Sequence, residues 1–303
     1  MQITNELLTL EKTLNTPHLP KDHPLFQILD PSFIAHGVER KKEIEAKIFW
    51  GADRFQLDKT SLFNKLSQDQ KNQILLRLSE LNLALSYFIE KSGHHYASKM
   101  ILTSESSEEK TLYALFACEE ATHLRLFMNQ MWFAPTLKTH FHPMLPILSE
   151  AIEWASKDTL VFVVQVLLEG FGIAHYTGLR DTCLDAELKN SFQTILKDEA
   201  RHHGAGLILT KANKLSQETE DQIFELSRKF IRSLETAHWI PAAFEAANSG
   251  LTQAETKELF AEMDFKNTLA LRMQRLKDMF YKVNYQGLYD RLSADGTFEV
   301  RSL

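Results

Sequence analysis

Leu85-Ser-Tyr-Phe-Ile-Glu90, Glu120-Ala-Thr-His123, Leu160-Val-Phe-Val-Val-Gln-Val-Leu-Leu-Glu169 and Glu199-Ala-Arg-His202 are the stretches on which the reading of this chain turns. A lone glutamate precedes a Glu-x-x-His, and the same order then repeats, at intervals of 30, 49 and 30 residues. Residues three apart share one face of a helix, so each Glu and its His project the same way. Glu169 closes the most apolar run of the chain, and Glu90 is similarly embedded. A buried carboxylate costs several kcal/mol unless it is paired or bound to metal. The residues around Glu169 offer no cation, and a metal ion would supply one. Hard carboxylate oxygens can bridge two cations ~3.5–4 Å apart, and one imidazole per metal leaves coordination positions open. The expected metal ligands are therefore Glu90, Glu120, His123, Glu169, Glu199 and His202.

With two Glu-x-x-His motifs and two lone glutamates in register, the chain resembles the ferritin-like di-iron carboxylate superfamily over roughly Ser67 to Asn213. Glu119-Glu120-Ala-Thr-His123 and Asp198-Glu199-Ala-Arg-His202 are similar to the motifs of acyl-carrier-protein desaturases and ribonucleotide reductase small subunits, and the short intervals to aldehyde-deformylating oxygenases. The resemblance implies an all-α, ferritin-like four-helix bundle holding two iron ions, with O₂ as co-substrate. Manganese fits the same ligands, so the sequence does not fix the metal. It also implies a small, largely apolar substrate of acyl, aldehyde or amine type, an electron donor, and room for a homodimer. Glu119 and Asp198, which precede the motif glutamates, would bond the outer nitrogen of a ligand histidine. His94, one turn after Glu90, is a candidate third nitrogen ligand, as in some amine-oxidising relatives. Storage is disfavoured by the length of chain outside the four helices. A radical-generating or metal-carrying subunit and a peroxide-scavenging or ferroxidase protein are the alternatives.

The net charge of −6 and a pI near 6.1 lack the basic footprint of a nucleic-acid partner. No apolar run approaches ~20 residues without charge, so no membrane span is expected. The start has neither a basic nor an apolar leader region, which points to the cytoplasm. Cys118 and Cys183 are too few for a disulfide framework and are expected as small buried thiols.

Proline and capping residues place the elements. A short helix over about Glu6 to Leu14 precedes an irregular lead-in through Pro17, Pro20, Pro24 and Pro31, and a second helix spans about Phe33 to Trp50. Ser67 and Gln70 form a capping-box signature for a helix from Gln68 to about Ile101. Further helices are expected over Ser107 to Met131, Leu145 to Ala155, Lys157 to Cys183 and Ala186 to Ala212. Two covering stretches follow, Gln217 to Asn248, kinked or split at Pro241, and Thr252 to Tyr281. The whole reads as one domain over 1–303: lead-in 1–66, bundle 67–213, covering helices 214–283, and a loosely held tail 284–303.

Several residues act as controls. Glu80 falls near the face of Glu90, but only Glu90 preserves the matched intervals. A third motif, Glu235-Thr-Ala-His238, has Ala205 thirty positions earlier and is expected not to ligate. His203 points about 100° away from His202. Gly170, Gly172, Gly178, Gly204 and Gly206 fall in the last two ligand helices, where each costs ~1 kcal/mol against Ala. They serve either close packing or space for a substrate. Gly172 and Tyr176, three and seven residues after Glu169, are the candidates for the substrate cavity.

Overall fold

The computed structural model describes residues 14–300, except 21, 42, 213, 214, 236, 237 and 284. Among these the fold is all-α, and the one extended pairing is an isolated antiparallel bridge between Trp50 and Cys183. The helices are α1 Phe26–Ala35, α2 Gln68–Thr103, α3 Ser107–Met128, α4 Met144–Trp154, α5 Lys157–Asp181, α6 Ala186–Ala212, α7 Gln217–Ser233, α8 Trp239–Ala246, α9 Gln253–Glu262, α10 Phe265–Lys282 and α11 Gln286–Ala294. Two 3-10 turns, Ala52–Phe55 and Leu57–Lys59, and a five-residue α-helix, Ser61–Lys65, lead into α2. Apart from Leu14, the helix expected over Glu6 to Leu14 lies outside the described residues.

Local chemistry explains where the long helices begin. At α2, Ser67 N donates to Gln70 Oε1 (3.1 Å) and Gln70 N to Ser67 Oγ (3.3 Å), the reciprocal bonds of a capping box. At α3, Ser106 Oγ accepts from Glu109 N at 3.1 Å, and Glu108 and Glu109 sit at the positive end of the dipole. Pro241 splits the stretch after Leu215 as expected. It occupies the first turn of α8, where a missing N–H costs nothing.

The chain forms two compact units, divided at Ala46/Lys47, Leu81/Asn82 and Lys157/Asp158. In the first, the later turns of α2 pack on α3 through edge-to-face rings, Tyr96 against Tyr113 at 6.0 Å. Lys99 caps the end of α4 by donating to Ile152 O (2.7 Å) and Ala155 O (3.1 Å). Arg125 holds α1, bonding Asp30 at 3.0 Å with its guanidinium 4.2 Å from the centre of the Phe33 ring.

In the second unit α5 and α6 are the central pair. Within α5, Val161–Leu168 is wound as a π-helix before α-helical geometry resumes at Glu169. By length and composition α5 could cross a membrane, but Val161 to Leu167 are buried in the protein. A second cluster joins Leu57, Phe63, Ile74 and Leu78 to Ile240, Phe244, Leu259 and Met263.

Four expectations are corrected. The helix over Phe33 to Trp50 does not form: α1 ends at Ala35, His36 caps it, and Gly37 follows at φ +78. The described residues beyond it take tertiary partners for their backbone groups. Lys41 N donates to Asn129 Oδ1 and Asn129 Nδ2 to Glu39 O, while Phe49 N donates to Ser79 Oγ and Leu184 N to Phe49 O. Within the expected lead-in, Phe26–Ala35 is helical despite Pro31. The Thr252-to-Tyr281 stretch breaks at Asp264, which adopts φ 51 between α9 and α10. Finally, the described residues after Val283 are not a loose tail, because α11 buries Leu288 and Leu292, and Arg232 bonds Asp295 at 2.7 Å.

Two glycines of α6 make a controlled comparison. A Cβ at Gly206 would stand 2.5 Å from Gln165 Cβ and 3.2 Å from its backbone carbon, whereas a Cβ at Gly204 would meet nothing within 4 Å. Urea unfolding should show Gly206→Ala destabilised by about 1–3 kcal/mol through overpacking. Gly204→Ala should be stabilised by up to ~1 kcal/mol from helix propensity alone.

Candidate functional site

Each unit carries one lone glutamate and one Glu-x-x-His, brought together by a helix pair. In the first unit Glu90 comes from α2 and Glu120 and His123 from α3. All three are buried, and one ligand atom from each lies within 4.8 Å of the others. His123 Nδ1 is 2.9 Å from Glu90 Oε2 and 3.8 Å from Glu120 Oε2. In the second unit Glu169 comes from α5 and Glu199 and His202 from α6. His202 Nδ1 stands 4.0 Å from Glu169 Oε1 and 4.0 Å from Glu199 Oε1. The two triads thus share one plan, in which Nδ1 of the motif histidine faces two carboxylates.

That plan suits a cation. Two donors bonded at ~2.0–2.2 Å to one first-row ion can stand up to ~4.2 Å apart, and the four distances from histidine Nδ1 to carboxylate oxygen fall inside that span. Burial and the neighbouring Glu90 carboxylate push the Glu120 carboxyl well above the usual range, while His123 pulls it down and Glu119 adds a smaller push upward. A metal would replace the proton that this crowding favours. Gly93 completes the fit: a Cβ there would lie 2.6 Å from Glu120 Oε2 and 2.7 Å from its carboxyl carbon. The absent side chain of α2 is therefore the space in which the α3 carboxylate sits.

In the second unit Gln165 and His203 tie the π-helical turns to α6. Gln165 Nε2 donates to His202 O at 3.0 Å, and His203 Nδ1 donates to Gln165 O at 2.9 Å. Gly170 makes room for the His203 ring, since a Cβ there would lie 2.8 Å from Cε1. Hence the backbone of one candidate ligand, His202, is clamped from the helix that presents another, Glu169.

The remaining sequence candidates divide. His94 is half-buried beside His95, with ring centroids 6.3 Å apart, and is not among the residues that converge on Glu90. Asp198 pairs with Arg201, one turn on. Glu80 is paired with Arg77 at 2.8 Å, leaving Glu90 as the ligand candidate of α2. His238 is exposed immediately before α8. Gly172 faces open space, with nothing within 4 Å of an added Cβ, whereas Tyr176 is buried against Phe192 at 5.6 Å. Cys118 departs from expectation. It is exposed, with Sγ 3.7 Å from His36 Nε2, and only Cys183 is buried.

Sequence reading missed Gly93 and Gln165, though both left a signal. Gly93 is a glycine inside a long helix, three residues after a candidate ligand, and Gln165 is the one polar residue of Val161–Leu168. Comparison of the chain with protein-family models, curated proteins and solved structures finds no match.

Two outcomes are expected. Gly93→Ala should lower metal affinity at least about tenfold by displacing the Glu120 carboxylate. The metal-free protein should hold or gain stability, since Ala is favoured over Gly in a helix by ~1 kcal/mol; titration calorimetry and urea unfolding check both. Because the folded-state pKa of Glu120 is raised, its contribution to metal-free stability is fully present below the unfolded carboxyl pKa and is lost as pH rises through the folded one. Metal affinity should rise over the same interval as that proton is displaced, which titrations at several pH values would follow.

Proposed function

We propose that this chain is an oxygen-activating di-iron oxidase or oxygenase of the ferritin-like kind, acting on a small, largely apolar organic substrate. The observation that carries the reading is the matched pair of triads, buried except for the partly buried Glu169, each with a histidine Nδ1 facing two carboxylates. The repeated spacing of Glu90, Glu120, His123 and of Glu169, Glu199, His202 supports assigning the six to one two-iron centre on a four-helix bundle. Iron bound there would supply the electrons that reduce O₂ and the oxidising power that attacks a C–H, C–C or N–H bond.

The protein's own share is ligation, orientation and exclusion of water. Six donors with two neutral imidazoles and four carboxylates balance two divalent ions without further charge. Gln165 fixes the backbone at His202, and Gly93 fixes the seat of Glu120. The apolar run before Glu169 walls its side of the site, and the open space at Gly172 supports substrate binding three residues beyond that ligand. A separate electron donor and a cytoplasmic setting complete the proposal.

Anaerobic iron loading should give two ions per chain, and Glu169→Ala should lose one or both without a large fall in metal-free melting temperature. Reaction with O₂ and a reductant against acyl, aldehyde and amine substrates, with product analysis, tests the activity. Gly172→Leu should keep both irons and the reaction with O₂ while turnover of bulky substrates drops sharply, as added methylenes are felt in packed interiors. O₂ consumption with no product from any substrate class would favour the ferroxidase or radical-subunit reading instead.

A further inference from the structure

Arg54 and Arg272 are half-buried, and neither has an ion pair or hydrogen bond among the described residues. Both belong to the second unit. Arg54 sits on the turn Ala52–Phe55 with its guanidinium against the backbone of α5, where a Cβ at Gly178 would lie 3.1 Å from Nη1 and 3.6 Å from Nη2. Two residues on, Gln56 holds a left-handed conformation at φ 58 and its Nε2 donates to Thr268 Oγ1 at 3.1 Å. Thr268 is one turn before Arg272 on the same face of α10. The Gln56 bond therefore brings the two arginine-bearing segments together.

Three features of this place call for a ligand. Burial lowers the pKa of Arg54 and repulsion from Arg272 lowers it further, while burial and then Arg275 act in the same direction on Arg272. The adjacent acid, Asp53, sits over Gly51, where a Cβ would meet its Oδ1 at 2.5 Å, and forms no ion pair with either arginine among the described residues. Gln56 Oε1 is buried with no hydrogen-bond partner. Half-desolvated guanidinium groups without an acceptor are unfavourable, and an oxyanion is the partner whose geometry they match.

We infer that Arg54, Arg272 and Gln56 form a receptor for the hydrogen phosphate dianion. Two guanidiniums balance a dianion, whereas a carboxylate would neutralise only one. The remaining P–O–H of hydrogen phosphate donates to Gln56 Oε1, which sulfate cannot do. A phosphomonoester dianion lacks that proton, and on gaining it near its second pKa of ~6 it becomes a monoanion that matches only one guanidinium. Gly178 is nine residues after Glu169, a rotation of about 180° around the helix, so the receptor lies on the opposite face of α5 from that metal ligand. It is a separate site.

The test uses the full metal-free chain. Inorganic phosphate, sulfate, phenyl phosphate and octanoate are titrated at matched ionic strength in sodium chloride, reading melting temperature and calorimetric stoichiometry. Phosphate should bind saturably, one per chain, and raise the melting temperature by roughly 2–4 °C, with sulfate weaker. Arg272→Gln and, independently, Arg54→Gln should abolish this response while leaving metal loading unchanged. In chloride alone either variant should melt no lower than the parent, because a like-charge contact has been removed. Gln56→Leu should erase the preference for phosphate over sulfate. Above both second pKa values phenyl phosphate is a dianion with no P–O–H and should bind more weakly than hydrogen phosphate; tighter binding would overturn the inference. A phosphate response no larger than that of chloride, one retained in both arginine variants, or a stronger response to octanoate would overturn the inference.

Discussion

Carboxylates gathered inside a helical protein repel one another and resist leaving water, and this constraint organises the molecule. Glu90 and Glu120 are both buried, and their proximity keeps the Glu120 carboxyl from ionising in the ordinary range. Such an arrangement persists only if the surrounding structure holds it, and helices do so well because every backbone bond is satisfied internally. The long helices α2 and α3 keep Glu90, Glu120 and His123 away from frayed ends. A glycine in α2, with no side chain to compete, leaves the carboxylate of α3 somewhere to sit.

The second unit meets the same constraint with a different backbone. Eight residues of π-helix precede Glu169, and wider turns are uncommon enough to need outside support. Gln165 and His203 provide it by bonding in opposite directions between α5 and α6, and Gly170 and Gly206 remove the atoms that would keep them apart. Glu169, where regular winding resumes, is presented at the end of a segment fixed to its partner helix. Glycines that each weaken a helix locally by ~1 kcal/mol thus permit the close approach on which the triad depends.

The two triads differ in how closely their donors approach. In the first, imidazole and carboxylate are within hydrogen-bond distance at 2.9 Å, which gives two buried polar groups a partner. In the second, the histidine stands 4.0 Å from both carboxylates, and Glu169 is less deeply buried than Glu90. Glu169 Oε2 is nevertheless shielded from water, so solvent does little to offset the wider spacing of these donors.

Periodicity, capping and spacing by themselves determined the all-helical class, the start of α2 at its Ser67–Gln70 box, the extent of α6, and the grouping of Glu90 with Glu120 and His123 and of Glu169 with Glu199 and His202. Those features follow from interactions within a few residues along the chain, or from charges whose burial allows few outcomes. Tertiary structure alone decided the rest. The charged run after Val38 has the composition of a helix, yet Asn129 takes its backbone groups at Glu39 and Lys41. Asp264 breaks a stretch whose pattern is continuous, and the residues after Val283 gain a helix because Leu288 and Leu292 find a surface to bury against. The π-helical turns before Glu169 carry no local signature beyond one glutamine in an apolar run. Their winding depends on bonds to a helix 37 and 38 residues away, which no window of the sequence contains.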